Sequence, residues 1–483
     1  MESRGRLPRG VWIAAGSATA LLLALAGRYG FHRDELYFLI AGRNLDWGFV
    51  DQPPLTPLVA RISELIGGTN PIALRVLPAL AVGSIAIMAA AICRRFGGGQ
   101  RAQIFAGVTA GFTGVVLGEG HLLSTAIFDF ALWTAALLLI VQLLDGGTRT
   151  LWVLLGVVVG IGLENKHTMA FLALALLLAL AFDRQRRMLL TTPWPWLGVA
   201  IAMVIALPNL IWQWSHGFPQ LEMARAISDR SDGALAFVLF QPLLLSVTLA
   251  IPAAVGLWRL ARSDHMRTWR PIAITYAVLF VVFLVTGAKA YYIAPLYPAL
   301  LAAGAVWFED LSMWARRLMT GLMGIGIAVG LLIALPVMPI SSASTFDATG
   351  ELGETVGWPE LVDQVVEAYK SIPGDQRGRT AIFTSSYGEA GAIDVLGSSL
   401  GLPASSSGHN NYWLWGPPDD HGPVIGIGQV DRALILICPD FETADIITNP
   451  YGVENEEFGL PIYICTHPKR QLADVWGELR HYN

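Results

Sequence analysis

A ladder of apolar runs constrains this chain most. Eleven stretches, at about 11–27, 72–93, 102–118, 122–144, 150–164, 167–182, 196–213, 235–258, 271–287, 291–308 and 318–339, each read as long enough to cross a bilayer. Short polar breaks separate them. With 54% hydrophobic and 14% charged residues and a mean hydropathy of +0.52, the composition is that of a polytopic membrane protein. The pattern ends near residue 340. Residues 341–483 carry ordinary charge and many Gly, Ser, Asp and Glu. The sequence therefore divides into a membrane domain, 1–340, and a soluble domain, 341–483, long enough to form its own core.

Arginine sets the expected orientation. With the N-terminus in the cytoplasm, the inner loops hold Arg94-Arg95, Arg149, Arg184 with Arg186-Arg187, Arg259 with Arg262, and Arg316-Arg317. The outer loops are then 28–71, 118–122, 164–167, 214–234 and 288–290. Eleven spans leave the C-terminal domain outside the cytoplasm. Arg4, Arg6 and Arg9 before the first run mark a signal anchor retained as the first helix. Lys166 and Lys289 sit at outer ends of spans, against the rule. Each is either a cation for a bound anion or a lysine snorkelling to the headgroups. No basic tract suggests nucleic acid. Cys438 and Cys465 could pair in an oxidising compartment or remain separate thiols.

Several residues stand out as candidates for chemistry. The first outer loop, 28–71, opens with Asp34-Glu35, followed by the largely apolar Leu36 to Ile40. This reads as an amphipathic helix on the membrane surface, holding two carboxylates at the lipid–water boundary. The alternative is a solvated helix start with Asp34 as a cap. Asp51-Gln52-Pro53-Pro54 is a rigid turn that either presents Asp51 and Gln52 or braces the loop. Asp129 lies about two turns into an apolar helix, after His121, and should face a protein interior or aqueous cavity. The loop 212–234 carries Arg225 and Arg230, which either clamp a phosphate or neutralise nearby carboxylates. Lys289 with Tyr291 suits a phosphate headgroup or an aromatic belt. His409, Asn411 and Trp413 mix aromatics and amides, as a sugar site or a membrane-facing loop does. No metal signature is present. His32, His121 and His216, on separate outer loops, leave a composite divalent-cation site open, and no other cofactor is indicated. In the soluble part, 379–385, 433–438 and 460–465 read as strands and 356–370 as a helix, which suggests a small α/β domain.

Taken in order and by membrane side, these motifs resemble a known family. They are His32-Arg33-Asp34-Glu35-Leu36-Tyr37, Asp51-Gln52-Pro53-Pro54-Leu55, Asp129, Glu164-Asn165-Lys166-His167, the run from Lys289 to Pro298, Tyr387-Gly388-Glu389-Ala390 and Ser407 to Tyr412. The resemblance is to bacterial ArnT-like and protein O-mannosyltransferase-like glycosyltransferases of the GT-C superfamily, and it covers nearly the whole chain. It implies an α-helical GT-C membrane domain of about eleven spans with a C-terminal extracytoplasmic α/β domain. It also implies a sugar donor on a polyprenyl phosphate, a cell-envelope acceptor, and transfer on the outer face of a bacterial cytoplasmic membrane. The family's catalytic acid falls on Asp34. On this reading Asp34 is the general base, with Glu35 and Asp129 positioning the acceptor or tuning Asp34. Lys289, Arg225, Arg230, Tyr291 and Lys166 would hold the donor phosphate. Asp51, Gln52, His121, His409, Asn411 and Trp413 would hold the sugar or acceptor. Single displacement would invert the anomeric centre. The rival reading is a transporter or flippase of lipid-linked sugars, which predicts charges near the midplane and internal symmetry. Here the candidates cluster at the outer boundary.

Overall fold

The computed structural model of the protein describes residues 6–229, 233–343, 350–418 and 422–482, so Arg230 lies outside the described residues. The N-terminal two thirds is helical. Its helices are α1 (Arg9–Leu25), α2 (Arg33–Arg43), α3 (Leu55–Gly67), α4 (Pro71–Arg95), α5 (Gln100–Gly111), α6 (Gly114–His121), α7 (Thr125–Leu144), α8 (Thr150–Leu163), α9 (Thr168–Phe182), α10 (Pro193–Ser215), α11 (Pro219–Asp229), α12 (Gly233–Leu244), α13 (Ala250–Arg262), α14 (Arg270–Thr286), α15 (Tyr297–Asp310) and α16 (Met313–Ala334). Among the described residues, six helical stretches are long and apolar enough to cross a membrane alone, and the pair α5–α6, bent by 52°, makes up to seven. α1, α8, α9 and α12 are shorter apolar helices.

All eleven apolar runs fall on helices, yet not as eleven unbroken spans. The run 235–258 splits into α12 and α13 around Ser246 and Val247, whose φ angles are 51° and 58°. That backbone region is strained for a β-branched residue. The break is held because Ser246 Oγ accepts the Gly114 N–H at 2.8 Å. Gly114 is itself the first residue after the α5–α6 bend. Two helix interruptions thus satisfy each other in apolar surroundings, where an open backbone group is costly. Elsewhere the helices close to backbone contact. A Cβ on Gly256 of α13 would lie 2.0 Å from the Leu300 carbonyl oxygen of α15, and one on Gly304 would lie 2.0 Å from that of Pro252. Only small residues permit such approach.

The C-terminal part carries a five-stranded sheet of β1 (Ala381–Thr384), β2 (Ser405–Ser407), β3 (Val424–Ile427), β4 (Glu442–Ile446) and β5 (Pro461–Cys465), in the order β2-β1-β3-β5-β4. β2, β1 and β3 run parallel; β5 and β4 are antiparallel additions. The expected strands at 379–385 and 460–465 are β1 and β5, and the helix at 356–370 is Trp358–Ser371. The stretch 433–438 is corrected: it belongs to the helix Asp431–Ile437. Val430, Leu434 and Ile437 point inward at helical spacing, and a short apolar run does not separate helix from strand by itself. Cys438 and Cys465 form a disulfide that ties this helix to β5.

The surface-helix expectation for α2 is also corrected. Its residues Glu35 to Gly42 are all buried. A helix buried all round sits inside a core, not on lipid. Leu36, Tyr37 and Leu39 share one hydrophobic core with Trp358, Val362, Ile382 and Ile425. The first outer loop is therefore folded into the C-terminal part. At its N-terminus His32 caps α2: Nδ1 accepts the Asp34 N–H at 3.1 Å, and Glu35 Oε2 accepts the His32 N–H at 2.9 Å.

Candidate functional site

A cavity of about 1130 Å³ lies where the helices meet the C-terminal sheet. Its helical end is apolar, with Val115 of α6, Phe237 and Phe240 of α12 and Ile333 of α16 in the wall. Its other end is polar, with Arg33, Glu119, His121, Lys289, Tyr387 and Glu389. An apolar channel leading to charge is the shape an amphipathic lipid with a polar head requires.

Asp34 is not itself in the cavity wall; it stands next to Arg33 and Tyr387 of the polar end. The cap at His32 orients the first turn of α2, and the Tyr387 hydroxyl donates to Asp34 Oδ1 at 2.8 Å. Arg33 Nε lies 3.9 Å from the same oxygen, and its guanidinium is held by Glu456, with Glu354 at 3.7 Å. Burial first, and then the Asp34 carboxylate, push Tyr387 well above the usual phenol range, so it stays protonated and donates. The Asp34 carboxylate is half-buried; Arg33 and Tyr387, its partners, are in the cavity wall.

The candidate cations divide. Lys289 is exposed and lines the cavity. Lys166 Nζ lies over the rings of Tyr291 and Tyr292 at 4.9 and 4.7 Å, and Tyr291 is in the cavity wall. Arg225, on α11, is exposed and absent from the wall. The apolar side of α11, not its arginine, reaches the cavity through Ala226 and Ile227.

The candidate carboxylates divide too. Glu35 is fully buried and engaged by Arg75 Nε and Nη2 at 2.9 and 2.7 Å and by the Leu123 N–H at 3.0 Å. Its carboxylate is not open to a substrate, which corrects its placement among catalytic groups. Asp129 is buried in α7, accepts from Thr168 Oγ1 at 2.8 Å, and is absent from the cavity wall. Asp51 accepts from the Tyr37 hydroxyl at 3.0 Å, and burial pushes its carboxyl up to about 7.

Of the remaining sugar or acceptor candidates, His121 and His409 line the cavity. His409 lies 4.8 Å, ring to ring, from both Tyr387 and His481. Gln52 is buried in the loop, where its backbone carbonyl accepts the Phe49 N–H at 2.9 Å, while its side-chain Nε2 has no hydrogen-bond partner among the described residues. Asn411 Oδ1 accepts the Val50 N–H at 2.6 Å, pinning the same turn to the C-terminal part. Trp413 exchanges ring N–H to carbonyl bonds with Trp476 at 2.9 and 3.0 Å. Asp51, Gln52, Asn411 and Trp413 lie outside the cavity wall. Among the described residues no three His, Cys, Asp or Glu are grouped to hold a metal ion. His216 stacks on Trp212 at 4.1 Å, and the His32 Nε2 faces Glu351 at 3.1 Å.

Sequence reasoning passed over Glu457, and met Arg33, Tyr387 and Glu389 only within the motifs of the resemblance, with no role given to them. One local signal was available. Ser386-Tyr387-Gly388-Glu389 is a Ser-x-x-Glu capping box directly after an apolar strand, which marks a strand-to-helix turn at the carboxyl end of a sheet.

The fold is similar to that of membrane glycosyltransferases of the GT-C superfamily. A family model described as dolichyl-phosphate-mannose-protein mannosyltransferase matches residues 51–212. Among solved structures the chain is similar to ArnT from Cupriavidus metallidurans bound to undecaprenyl phosphate, with a TM-score of 0.62 and 14% identity over 94% of this chain and 97% of that one. It is also similar to the oligosaccharyltransferase AglB from Archaeoglobus fulgidus in complex with an inhibitory peptide and a dolichol-phosphate, with a TM-score of 0.52 and 12% identity over 88% of this chain and 69% of that one. No curated protein matches the chain.

Proposed function

We propose that this protein transfers a sugar from a polyprenyl-phosphate donor to an acceptor hydroxyl, with inversion, at the outer face of a bacterial cytoplasmic membrane. The carrying observation is the joining of Asp34, through Tyr387, to a cavity apolar at its helical end and cationic at Lys289. The bound undecaprenyl phosphate and dolichol-phosphate of the two similar structures support a lipid-phosphate donor here. In this reading the eleven runs supply the membrane domain, 1–340, with its N-terminus cytoplasmic. Residues 341–483 form the extracytoplasmic domain, and the acceptor belongs to the cell envelope.

The chemistry follows from the geometry. The acceptor oxygen attacks the anomeric carbon as its proton passes to Asp34. The bond from that carbon to the phosphate oxygen breaks, and polyprenyl phosphate leaves with the electron pair. Lys289, with Lys166 behind Tyr291, stabilises the charge that develops on the leaving phosphate. Tyr387 holds Asp34 in place between turnovers. Single displacement inverts the centre.

The test uses the purified full chain in nanodiscs with a panel of polyprenyl-phosphate sugars, following release of polyprenyl phosphate. Asp34→Asn is expected to lower release by about 10²–10⁴-fold, the worth of a general base, without lowering thermal stability. Full activity in a well-folded Asp34→Asn protein would remove Asp34 from the mechanism. Donor binding without release by either protein, even with cell-envelope extract added, would favour a transporter.

A further inference from the structure

Beyond Tyr387, the sheet side of the polar end has no role in the reaction derived above. The chain runs from β1 outward to β2, then back across β1 to β3, and all three strands are parallel. The strand order therefore reverses between β1 and β3. In an open sheet such a reversal leaves a crevice at the carboxyl ends of the strands, where ligands bind. Those ends are Thr384, Ser407 and Ile427. The residues that follow them, including Ser385, His409 and Gln429, line the cavity. The cavity thus ends in the switch-point crevice.

The groups in this crevice suit hydroxyls. Glu389 is buried, with Ser385 Oγ donating to its two oxygens at 3.1 and 2.9 Å and the Ser386 N–H at 2.9 Å. Gly428 makes room for it: φ is +77°, and a Cβ there would stand 2.2 Å from Glu389 Oε1. Glu457 supplies the independent observation. It is 3% exposed, it lines the cavity, and its Oε2 has no hydrogen-bond partner among the described residues. Burial, and then Glu354 and Glu389 beside it, push Glu457 well above the usual carboxylate range. A protonated carboxyl both donates and accepts, as a sugar hydroxyl does. The charge balance disfavours an anion. Glu456 and Glu478 offset Arg432 at this end, while Arg33 is already engaged by Glu354 and Glu456, so among the described residues no unpaired cation is left for an anion there.

We propose that the switch-point crevice is the acceptor subsite, that it takes a neutral polyhydroxyl group, and that Glu457 reads its hydroxyls. This rests on the transferase reading. Tyr387 joins the two halves, with its hydroxyl on Asp34 and its ring beside His409 in the crevice wall.

The experiment measures binding without donor, by saturation-transfer NMR on the full chain in nanodiscs. The probes are glucose, galactose, mannose, N-acetylglucosamine and the anionic glucuronate. At least one neutral sugar is expected to bind and glucuronate is not. Glu457→Leu removes both donor and acceptor at similar volume and is expected to weaken binding about tenfold or more, the worth of one well-made hydrogen bond to a buried group. Gln429→Trp fills the crevice from an exposed position and is expected to abolish binding, so the proposal stays testable if Glu457→Leu misfolds. Binding of no neutral sugar, equal binding of glucuronate, or unchanged binding in both variants would overturn it. Release of polyprenyl phosphate is scored separately. A protein that releases donor but binds no sugar loses the crevice alone, whereas one that binds sugar but never releases donor loses the acceptor role with the transferase.

Discussion

Glu35 and Arg75 are 0% and 1% exposed and hydrogen-bond each other twice inside the core. Arg75 also donates to the carbonyls of Ala26 and Gly30, so it clamps the start of the first loop to α4. Removing one partner strands a buried charge. Arg75→Met is expected to destabilise the protein by about 3–5 kcal/mol, seen as a lower unfolding midpoint, and the double variant with Glu35→Leu to recover part of the loss. A midpoint unchanged by Arg75→Met would show that water reaches Glu35. The adjacent Asp34 is the group that reaches Tyr387. Successive residues on a helix point about 100° apart, so a neighbouring pair of carboxylates divides between two environments. The sequence made this dipeptide conspicuous and could not say which member faced which way. The deciding partners, Arg75 and Tyr387, are 40 and 353 residues away.

Element by element, the long apolar runs were legible because hydrophobic length alone identifies them. Their interruptions were not, since a break such as Ser246-Val247 depends on a hydrogen bond from Gly114 in another helix. The parallel strands were legible in part, and the burial of α2 was hidden because its covering helix, Tyr387–Ala392, comes from the far end of the chain. That covering helix carries a pH dependence. Burial raises the Glu389 carboxyl from an ordinary 4.5 to about 7. The folded state thus holds this proton more tightly than the unfolded state. Its contribution to stability is complete below about pH 4.5 and is lost as pH rises through about 7, amounting to about 3 kcal/mol across the window. The unfolding midpoint is expected to fall between pH 4.5 and 7 and to level off above. Asp51, raised from 3.8 to about 7, acts in the same direction, so Glu389→Gln should reduce the slope without abolishing it. A slope identical in wild type and Glu389→Gln would assign the effect elsewhere.

At the scale of the whole molecule, the two compositional halves were legible from the end of the apolar ladder, but their interpenetration was not. The first outer loop is held by the C-terminal part through a shared core, the Asn411–Val50 bond and the Tyr387–Asp34 bond. The Cys438–Cys465 disulfide braces that part across a sequence separation of 27. Cys465→Ser is expected to lower its stability by about 3–4 kcal/mol, read from denaturant unfolding, and a loss near zero would mean the helix Asp431–Ile437 is held by packing alone. The Asp34–Tyr387 bond also imposes an order on biosynthesis. At about 5–20 residues per second, a ribosome needs about 20–70 s to travel from one partner to the other. During that interval the first loop has left the ribosome without the surface that buries Leu36 and Leu39. The newborn chain must therefore keep an unfinished, apolar loop until the segment around Tyr387 has been made.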